Sequence, residues 1–427
     1  MDIRYRVQGG IPLQGEVTIG GSKNAALPLI AASLLVAGEV VLENLPRIRD
    51  TEVMLQLLEH LGAKTSAQGN TVSIDASAAR SRPLPKELVS KLRASILFLG
   101  PLLARFGVAE MAYPGGDVIG KRPVHAHILA FEQLGIRNMS SDTTLSLQGT
   151  LRPGEVILPE FSVTATENIL MAAALQPKHT RIELAATEPH VQDLCTFLGK
   201  IGASIEDIGS HALRIRGTGA TKGTRHRVPF DYIEAGSLVV AALVTKGKVR
   251  IREVERPPLL MFLEVLKRGG AVCKLDEQER TLFVDGELSL LQAMHIQTNI
   301  YPGFPSDLQA PIGVAMTQAK GVSRIFEVLY EGRLGYLYEL EKMGAHVEML
   351  NAHQALIIGP TPLRGRIVAS NDIRAGASMV LAALCAEGES VVTDVHYIER
   401  GHERLDQKLL ALGARIERTV SGELNIA

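Results

Sequence analysis

The sequence predicts an α/β protein made of six copies of one unit of about 70 residues, with helices in the core and sheets outside. Three observations predict it: a glycine turn that recurs along the chain, an amphipathic helix ahead of each turn, and a second, almost wholly apolar helix in each unit. The composition is that of a globular chain, because 46% of the 427 residues are hydrophobic and 21% are charged. A repeat of this kind is typical of architectures that reuse one supersecondary unit.

The recurring turn has glycine as its second residue and, in most copies, alanine as its third, as in Leu61-Gly62-Ala63. Ahead of this copy, Met54, Leu57 and Leu58 have the spacing of an amphipathic helix. Because glycine tolerates the left-handed conformation that ends helices, each turn is predicted to follow a helix C-terminus. The turn glycines, 67 to 74 residues apart, are Gly62, Gly135, Gly202, Gly270, Gly344 and Gly413.

Strands and buried helices complete each unit. Short alternations of polar and apolar residues follow the turns, as in Thr71–Asp75, and are predicted to be paired strands. The second helix of each unit is apolar nearly all round, and a helix without a polar face is buried on every side. These helices begin near Ala25, Ala94, Ile169, Ser237, Ala310 and Ala377. Each unit is therefore predicted to run strand, buried helix, strand, exposed helix, strand, strand.

The repeat count favours two similar domains of three units each. No Pro/Ser-rich linker marks a join between them, so one continuous solenoid of six units remains the alternative.

Composition excludes several classes of protein. The 45 Lys and Arg residues against 46 Asp and Glu leave a net charge of -1, whereas a nucleic-acid binder normally has a basic excess. The longest uncharged apolar run, 25–37, is too short to span a bilayer, and the first residues show no signal peptide. The three cysteines are widely spaced and no metal-binding motif is present. We expect a cytoplasmic protein that needs no metal.

Polar residues precede the buried helices, where the free N–H groups of a helix N-terminus attract anions. Capping alone would account for Ser306 and Thr166. It does not account for Lys23, Arg93 or Arg374, because a cation is unfavourable at a helix N-terminus unless an anion lies nearby. If both domains direct these helix ends at one cleft, the pattern predicts a ligand with several negative charges.

The segment Tyr113–Val124 nearly matches a nucleotide-binding P-loop, with Gly115, Gly120 and Lys121 at the required spacing. Arg122 stands where the motif needs Ser or Thr, so the magnesium-binding hydroxyl is missing. A P-loop ATPase is therefore disfavoured, and a flexible loop that contacts an anion, with Asp117 at its tip, is the interpretation that remains.

Several long motifs in the chain resemble those of a known family. These are RVQGG and LQGEVTIGGSKNAALP near the start, LRASILFLGPLLARFG, PGGDVIGKRPV, FPSDLQA, DIRAGASMVLAAL and YIERGHERLDQKLLALGA. The chain resembles the enolpyruvyl transferases over essentially its whole length. The branch that acts on shikimate 3-phosphate usually begins with a PGSKS-type motif, whereas this chain has GGSKNAAL, which favours the branch that acts on a UDP-sugar.

The resemblance implies two inside-out α/β barrel domains, each with threefold internal symmetry and an active site in the cleft between them. The expected domains are residues 22–231, which carry the mobile loop around 113–124, and residues 1–21 plus 232–427. The implied reaction moves the enolpyruvyl group of phosphoenolpyruvate to the 3′-hydroxyl of UDP-N-acetylglucosamine and releases phosphate. It proceeds by addition and elimination, without a metal or an organic cofactor, as the first committed step of peptidoglycan synthesis. We expect a monomer without nucleic-acid or membrane partners.

The resemblance also implies roles for residues that match the family motifs. Asp307 would be the general base at the sugar hydroxyl, Asp117 the acid of the loop, and Lys23 and Arg400 further catalytic groups. Arginines suit the carboxylate and phosphate because a guanidinium binds such groups through two N–H groups. The expected substrate-binding residues are Lys23, Asn24, Arg93, Arg122, Pro123, Val124, His125, Ala126, Ser162, Val163, Asp307, Leu329, Arg333, Asp372, Arg374 and Arg400.

The chain departs from the family pattern at three positions. Asp117 stands where most members have a cysteine whose thiolate is the target of the epoxide antibiotic fosfomycin, so we expect an active, fosfomycin-insensitive enzyme. An aspartate is ordinarily a carboxylate at neutral pH, so it would have to carry a proton to act as an acid. His125 stands where Asp is usual and Thr164 where Gly is common, both on the expected nucleotide side.

Alternatives remain open. The chain could act on another nucleotide or nucleotide-sugar, or it could be a catalytically silent nucleotide-sugar-binding protein. His125 and His127 could be exposed helix residues without a role, and His190, His396 and His402 are expected to be structural.

Overall fold

The computed structural model describes residues 3–117 and 119–420. Val118 of the predicted loop, and residues 1–2 and 421–427 of the expected second domain, lie outside the described residues. The chain divides into two compact units. The first unit consists of Gly21–Asp117 and Arg122–Pro229, and the second unit of Met1–Gly20, Val118–Lys121 and Phe230–Ala427.

The described strands, in chain order, are β1 Ile3–Gln8, β2 Gln14–Thr18, β3 Glu39–Glu43, β4 Lys64–Gln68, β5 Thr71–Asp75, β6 Val108–Ala112, β7 Arg137–Asn138, β8 Thr144–Gln148, β9 Glu155–Ile157, β10 His179–Glu183, β11 Ser204–Glu206, β12 Ala212–Arg216, β13 Thr224–Arg227, β14 Lys248–Arg252, β15 Val272–Asp276, β16 Thr281–Asp285, β17 His295–Gln297, β18 Gly321–Phe326, β19 His346–Asn351, β20 Gln354–Gly359, β21 Ile367–Ala369, β22 Glu389–Thr393 and β23 Arg415–Val420.

The described α-helices are α1 Lys23–Ala32, α2 Arg49–His60, α3 Lys86–Val89, α4 Leu99–Phe106, α5 His125–Gln133, α6 Val163–Ala173, α7 Pro189–Lys200, α8 Tyr232–Val244, α9 Arg256–Arg268, α10 Gln309–Thr317, α11 Tyr336–Lys342, α12 Ile373–Cys385 and α13 Leu405–Ala411. Short 3₁₀ helices span Ser33–Leu35, Arg93–Phe98, Ser306–Leu308 and Ile398–Arg400.

Each unit contains three separate sheets. In the first unit the strand orders are β13-β3-β5-β4, β6-β8-β7 and β11-β12-β10-β9. In the second unit they are β15-β16-β14-β2, β17-β18-β20-β19 and β21-β22-β1-β23. The predicted inside-out α/β fold with three repeats per domain is confirmed. Each described sheet is open and has two edge strands.

The apolar helices form the core of each unit, as predicted. In the second unit α8, α10 and α12 pack on one another, and every residue from Ile233 to Val244 of α8 is buried. The amphipathic helices cover the core with one face; in α2 that face includes Met54, Leu57 and Leu58. The six turn glycines all follow these amphipathic helices with φ between 80° and 121°, the left-handed conformation that the repeat predicts.

The N-terminal strands belong to the second unit. β1 lies between β22 and β23 and is antiparallel to both, and β2 is parallel to β14. In the same way β13, near the end of the first unit, is parallel to β3 and supplies the first strand of the α1 repeat. The repeats are therefore complete only when strands far apart in the sequence pair.

The second repeat departs from the predicted pattern in two ways. Leu84 forms only an isolated parallel bridge to Met111, because Pro83 and Pro85 on either side have no N–H group for a ladder. The helix predicted from Ala94 begins as a 3₁₀ helix and becomes α-helical only at α4.

The side chain of Asn168 explains the late start of α4. Its Oδ1 accepts from the Gly100 N–H at 2.7 Å, and its Nδ2 donates to the Ile96 carbonyl at 3.0 Å. These two backbone groups would bond to each other in an α-helix. The amide of Asn168 therefore takes the place of one helical hydrogen bond and joins α6 to α4.

Membrane-spanning candidates are absent from the part of the chain that the structure describes, since none of its helices is both long and apolar enough to cross a bilayer.

Candidate active site

In the second unit the carboxylate of Asp307 is held by two arginines. It lies on the 3₁₀ turn that leads into α10, with Arg333 Nη2 2.6 Å from Oδ1 and Arg374 Nη2 3.3 Å from Oδ2. Both guanidiniums are buried, with 6% and 5% of the residue exposed, while Asp307 is half-buried. These three residues, which the family motifs predict at one site, lie together in the structure.

The charges of this cluster compensate for burial. Burial alone would lower the pKa of Arg333 and Arg374, because it disfavours the charged form. Asp307 outweighs that effect at both guanidiniums, together with Asp372 at Arg333 and Asp231 at Arg374, so both pKa values are raised. Two fixed cations therefore surround a carboxylate, and an incoming anion would compete with Asp307 for their N–H groups.

Asp372 positions Arg374 through the backbone. It is the N-cap of α12, and its Oδ1 accepts from the N–H groups of Arg374 at 2.7 Å and Ala375 at 2.8 Å. This is the ordinary chemistry of a helix cap. The described contacts of Asp372 are thus structural, and its expected place in substrate binding remains a prediction.

Leu329 lies in a loop that a buried acid organises. Oε1 of Glu327 accepts from the Leu329 N–H at 2.9 Å and from the Thr298 hydroxyl at 2.9 Å, and its Oε2 accepts from the Ser306 hydroxyl at 2.8 Å. Glu327 is fully buried. It therefore connects the loop that carries Leu329 to the residue beside Asp307, a role that no motif indicated.

Arg400 ends the 3₁₀ helix Ile398–Arg400 and is half-buried. The next residues bring His402 against Arg374, where His402 Nε2 lies 3.4 Å from Arg374 Nη1. His402 is therefore part of this cluster, which sequence reasoning missed.

In the first unit Lys23 and Asn24 open α1, after the N-cap Ser22. Lys23 Nζ lies 3.1 Å from Asp50 Oδ2, and both side chains are largely buried. Asn24 is half-buried. Asp50 lies in the first turn of α2, where a negative charge is favourable, and it supplies the anionic partner that the cation at the start of α1 requires.

Arg93 and Arg122 contact the segment that joins the loop to α5. Arg93 Nη2 donates to the Pro123 carbonyl at 3.0 Å, and Arg122 Nη2 donates to the Asp117 carbonyl at 2.6 Å. Val124 is the N-cap of α5. Both arginines are half-buried, and backbone carbonyls take up part of their hydrogen-bonding capacity.

The histidines of α5 differ from each other. His125 is exposed and Ala126 is buried, as is His127, whose Nε2 lies 2.9 Å from Thr164 Oγ1. Burial, and then the charge of Arg93, lowers the pKa of His127 to about 3, so this ring is neutral. The alternative that both histidines are exposed is wrong for His127.

Thr166 and Ser306 were expected to cap helices, but their side chains make other hydrogen bonds. The side-chain cap of α6 is Ser162, whose Oγ accepts from Ala165, and Val163 is the first residue of the helix. Thr166 instead donates to the Ser162 carbonyl and accepts from the Ala186 N–H. Ser306 donates to Glu327, so the capping interpretation was wrong for Thr166 and Ser306.

The loop after β6 approaches other backbone closely. A Cβ on Gly115 would lie 1.8 Å from the Ser90 carbonyl oxygen, so this position needs glycine. Asp117 is half-buried. Further along, Ile119–Lys121 belong to the second unit, where the Lys121 N–H donates to Glu331 Oε1 at 2.9 Å and the Gly332 N–H donates to the Ile119 carbonyl at 3.0 Å.

Comparison with known proteins identifies the family. The model of the family described as EPSP synthase (3-phosphoshikimate 1-carboxyvinyltransferase) matches residues 7–409. The chain belongs to this family of enolpyruvyl transferases. The UDP-N-acetylglucosamine 1-carboxyvinyltransferase of Bradyrhizobium diazoefficiens is 41% identical over 97% of this chain and 98% of that protein. The protein of the same name from Treponema denticola is also 41% identical, over 97% of this chain and 98% of its own.

Solved structures share the fold of this transferase. The enolpyruvyl transferase NikO from Streptomyces tendae superimposes with a TM-score of 0.86 at 24% identity, over 98% of this chain and 99% of that chain. An EPSP synthase from Acinetobacter baumannii superimposes with a TM-score of 0.76 at 19% identity, over 98% of this chain and 100% of that chain. At these identities the likeness concerns the fold alone.

Proposed function

We propose that the chain is a UDP-N-acetylglucosamine 1-carboxyvinyltransferase, which moves the enolpyruvyl group of phosphoenolpyruvate to the 3′-hydroxyl of that nucleotide-sugar and serves peptidoglycan synthesis. Its 41% identity to relatives of that name supports the acceptor. The observation that carries the chemistry is the contact of Asp307 with Arg333 and Arg374. It puts a potential base next to two cations that suit a phosphate and a carboxylate.

The reaction balances with these groups. The hydroxyl proton passes to Asp307 while the sugar oxygen bonds to C2 of phosphoenolpyruvate, and C3 of the enol takes up a proton. In the tetrahedral adduct the bond between C2 and the phosphate oxygen then breaks, and phosphate leaves. C3 gives up a proton, which restores the double bond. Arg333, Arg374 and Arg400 would neutralise the anions throughout, and Lys23 is the further catalytic group that the family motifs imply.

Anion binding and base release are coupled in this proposal. One nitrogen of each guanidinium, Nη2 of Arg333 and Nη2 of Arg374, lies against the Asp307 carboxylate. A phosphate or carboxylate that takes over these N–H groups frees the Asp307 carboxylate to accept the sugar proton. The base would thus be available only when the donor substrate is in place.

Asp117 would supply or receive the proton at C3 in place of the family's usual cysteine. Because a carboxylate does not replace a thiolate as the nucleophile that opens the fosfomycin epoxide, we propose that the enzyme is insensitive to this antibiotic. The expected nucleotide side is formed by Arg122, Pro123, Val124, His125, Ala126, Ser162 and Val163, with Asn24, Arg93, Leu329 and Asp372 as further contacts. We also place the reaction in the cytoplasm and expect a monomer.

A related acceptor is the second candidate, and one contact favours it. Thr164 holds His127 through its hydroxyl, at a position where the family commonly has glycine, so the expected nucleotide side has a different surface. Another nucleotide or nucleotide-sugar could therefore be the better substrate.

Phosphate release tests the proposal. The purified chain is incubated with phosphoenolpyruvate and, in separate reactions, UDP-N-acetylglucosamine, UDP-glucose, UDP-N-acetylgalactosamine and UMP. Release with the first acceptor and a product heavier by the enolpyruvyl group support the proposal, and Asp307→Asn should abolish both. Faster release with another acceptor favours the second candidate, and no release with any acceptor contradicts both.

A further inference from the structure

His402 is a buried histidine for which the reaction described above has no task. Only 4% of the residue is exposed, and its Nε2 lies 3.4 Å from Nη1 of Arg374. A guanidinium has donors but no acceptor, so Nε2 of His402 must accept this hydrogen bond. The ring is then neutral, with its proton on Nδ1, since an imidazolium has no lone pair to offer.

Packing against α12 fixes the place of this ring. A Cβ on Gly401 would lie 2.3 Å from Cγ2 of Ile373, so only glycine allows the turn to approach the start of the helix this closely. The N–H of His402 donates to the Ile398 carbonyl at 2.9 Å, which adds an α-type turn to the end of the 3₁₀ helix. Because Ile373 directly precedes Arg374, the same approach brings the imidazole to the guanidinium.

Arg374 thus has two partners on different nitrogens. Nη2 faces Asp307 and Nη1 faces His402, and the residue is almost completely buried. A buried charged donor without an acceptor is costly, so without His402 the guanidinium would turn toward the Asp307 carboxylate. It would then be less available to an incoming anion.

We infer that His402 is a positioning residue, which holds Arg374 by Nη1 so that a phosphate or carboxylate can take over its other N–H groups from Asp307. The inference rests on the proposed function for the role of Arg374, but its structural part concerns anion binding alone. A neutral ring suits the task because it accepts a hydrogen bond without forming a competing ion pair with the arginine.

Two substitutions separate positioning from packing. In His402→Gln the side-chain oxygen can accept near the place of Nε2, whereas His402→Leu fills similar space without an acceptor. His396→Gln is the matched control, because His396 is exposed on the same segment. For each variant, kcat and KM for phosphoenolpyruvate, the Kd of inorganic phosphate by calorimetry, and Tm are measured.

We expect His402→Leu to lower kcat/KM by about tenfold or more, the effect of losing a hydrogen bond to a charged group, mainly through KM for phosphoenolpyruvate. Its phosphate Kd should rise in parallel, while His402→Gln stays within about threefold of the parent chain, since an acceptor is retained. Equal losses in both variants, or none in either, would overturn the inference.

The two proposals fail in different ways. If the parent chain turns over and the variants do not separate, the function stands and the role of His402 falls. If the parent chain releases no phosphate from any acceptor, the function falls, and the order of the phosphate Kd values still decides the role of His402. Should His402→Leu not fold, His402→Met is the replacement without an imidazole acceptor.

Discussion

At the scale of single residues, Asp117 changes which reagents the loop can react with. It is half-buried, and its backbone carbonyl accepts from Arg122. This backbone contact does not depend on the side chain, so it can be kept when the carboxylate is replaced.

We predict that Asp117→Cys makes the enzyme sensitive to fosfomycin while the parent chain stays active in its presence. A thiolate can open the epoxide and form a stable covalent bond, whereas a carboxylate is a weak nucleophile for it. Residual activity and the intact mass are measured after incubation with fosfomycin. Covalent inactivation of the parent chain, or an active Asp117→Cys enzyme without adduct, would contradict the prediction.

His127 should make stability depend on pH. Burial and the charge of Arg93 lower its pKa to about 3, below the ordinary value for histidine. At pH values between these two pKa values, the folded state therefore binds fewer protons than the unfolded state. Stability should therefore fall as the pH drops from about 6.5 toward about 3, at up to ~1.4 kcal/mol per pH unit from this group.

The matched test uses urea unfolding at pH 7.5, 6.0 and 5.0. In His127→Gln this group has no proton to take up, so its part of the slope should disappear. His125→Gln, an exposed neighbour in the same helix, should keep the parent slope. Equal slopes in the parent chain and His127→Gln would show that the ring does not titrate in this way.

At the scale of elements, contact between helices decides where a helix begins. Asn168 replaces the hydrogen bond between Ile96 and Gly100 with two of its own, and this junction lies in the core of the first unit. The periodicity of the sequence predicted one continuous helix through this region. It could not show the interruption, because the inserted side chain comes from a helix about 70 residues further along.

We predict that Asn168→Ala lowers the free energy of unfolding by about 2 to 4 kcal/mol, because it leaves a buried N–H and a buried carbonyl without partners. Asn138→Ala is the control: its side chain is exposed and accepts from the N–H of Ser140 on the surface. A loss below that of the control would mean that the two backbone groups find each other again.

At the scale of the whole molecule, the N-terminal strands decide which part of the chain is able to fold alone. β1 is an inner strand of the sheet β21-β22-β1-β23, and β23 pairs there with β1. β2 completes another sheet of the second unit. By contrast, all the named strands and helices of the first unit lie within residues 21–229.

We predict that fragment 21–229 folds cooperatively and that fragment 230–427 does not. Joining residues 1–20 behind residue 427 through a short Gly/Ser linker should restore the second fragment, because Ile3 and Val420 are paired in the sheet. Circular dichroism and urea unfolding report on each chain. A cooperative transition in 230–427 without the added strands would contradict the prediction.

Much of the fold could be predicted from local patterns in the sequence. The turn glycines, the amphipathic face of α2 and the buried length of α8 follow from spacing and composition, and the structure agrees with them. In the candidate site, the sequence predicted residues that match a family motif, such as Asp307 and Arg374. The roles of Glu327 and His402 could not be predicted in this way, because they consist of contacts with residues far away in the sequence: Glu327 binds Thr298 and Ser306, and His402 lies against Arg374.

The sequence by itself determined the repeats, the inside-out α/β class and the family, because periodicity and long motifs are properties of neighbouring residues. Only the tertiary structure decided that β1 lies between β22 and β23, that Asn168 interrupts a helix, and that Asp307 is shared by Arg333 and Arg374 with His402 behind Arg374. The physical reason is that these contacts join residues far apart in the sequence, and their distances depend on the path of the chain between them.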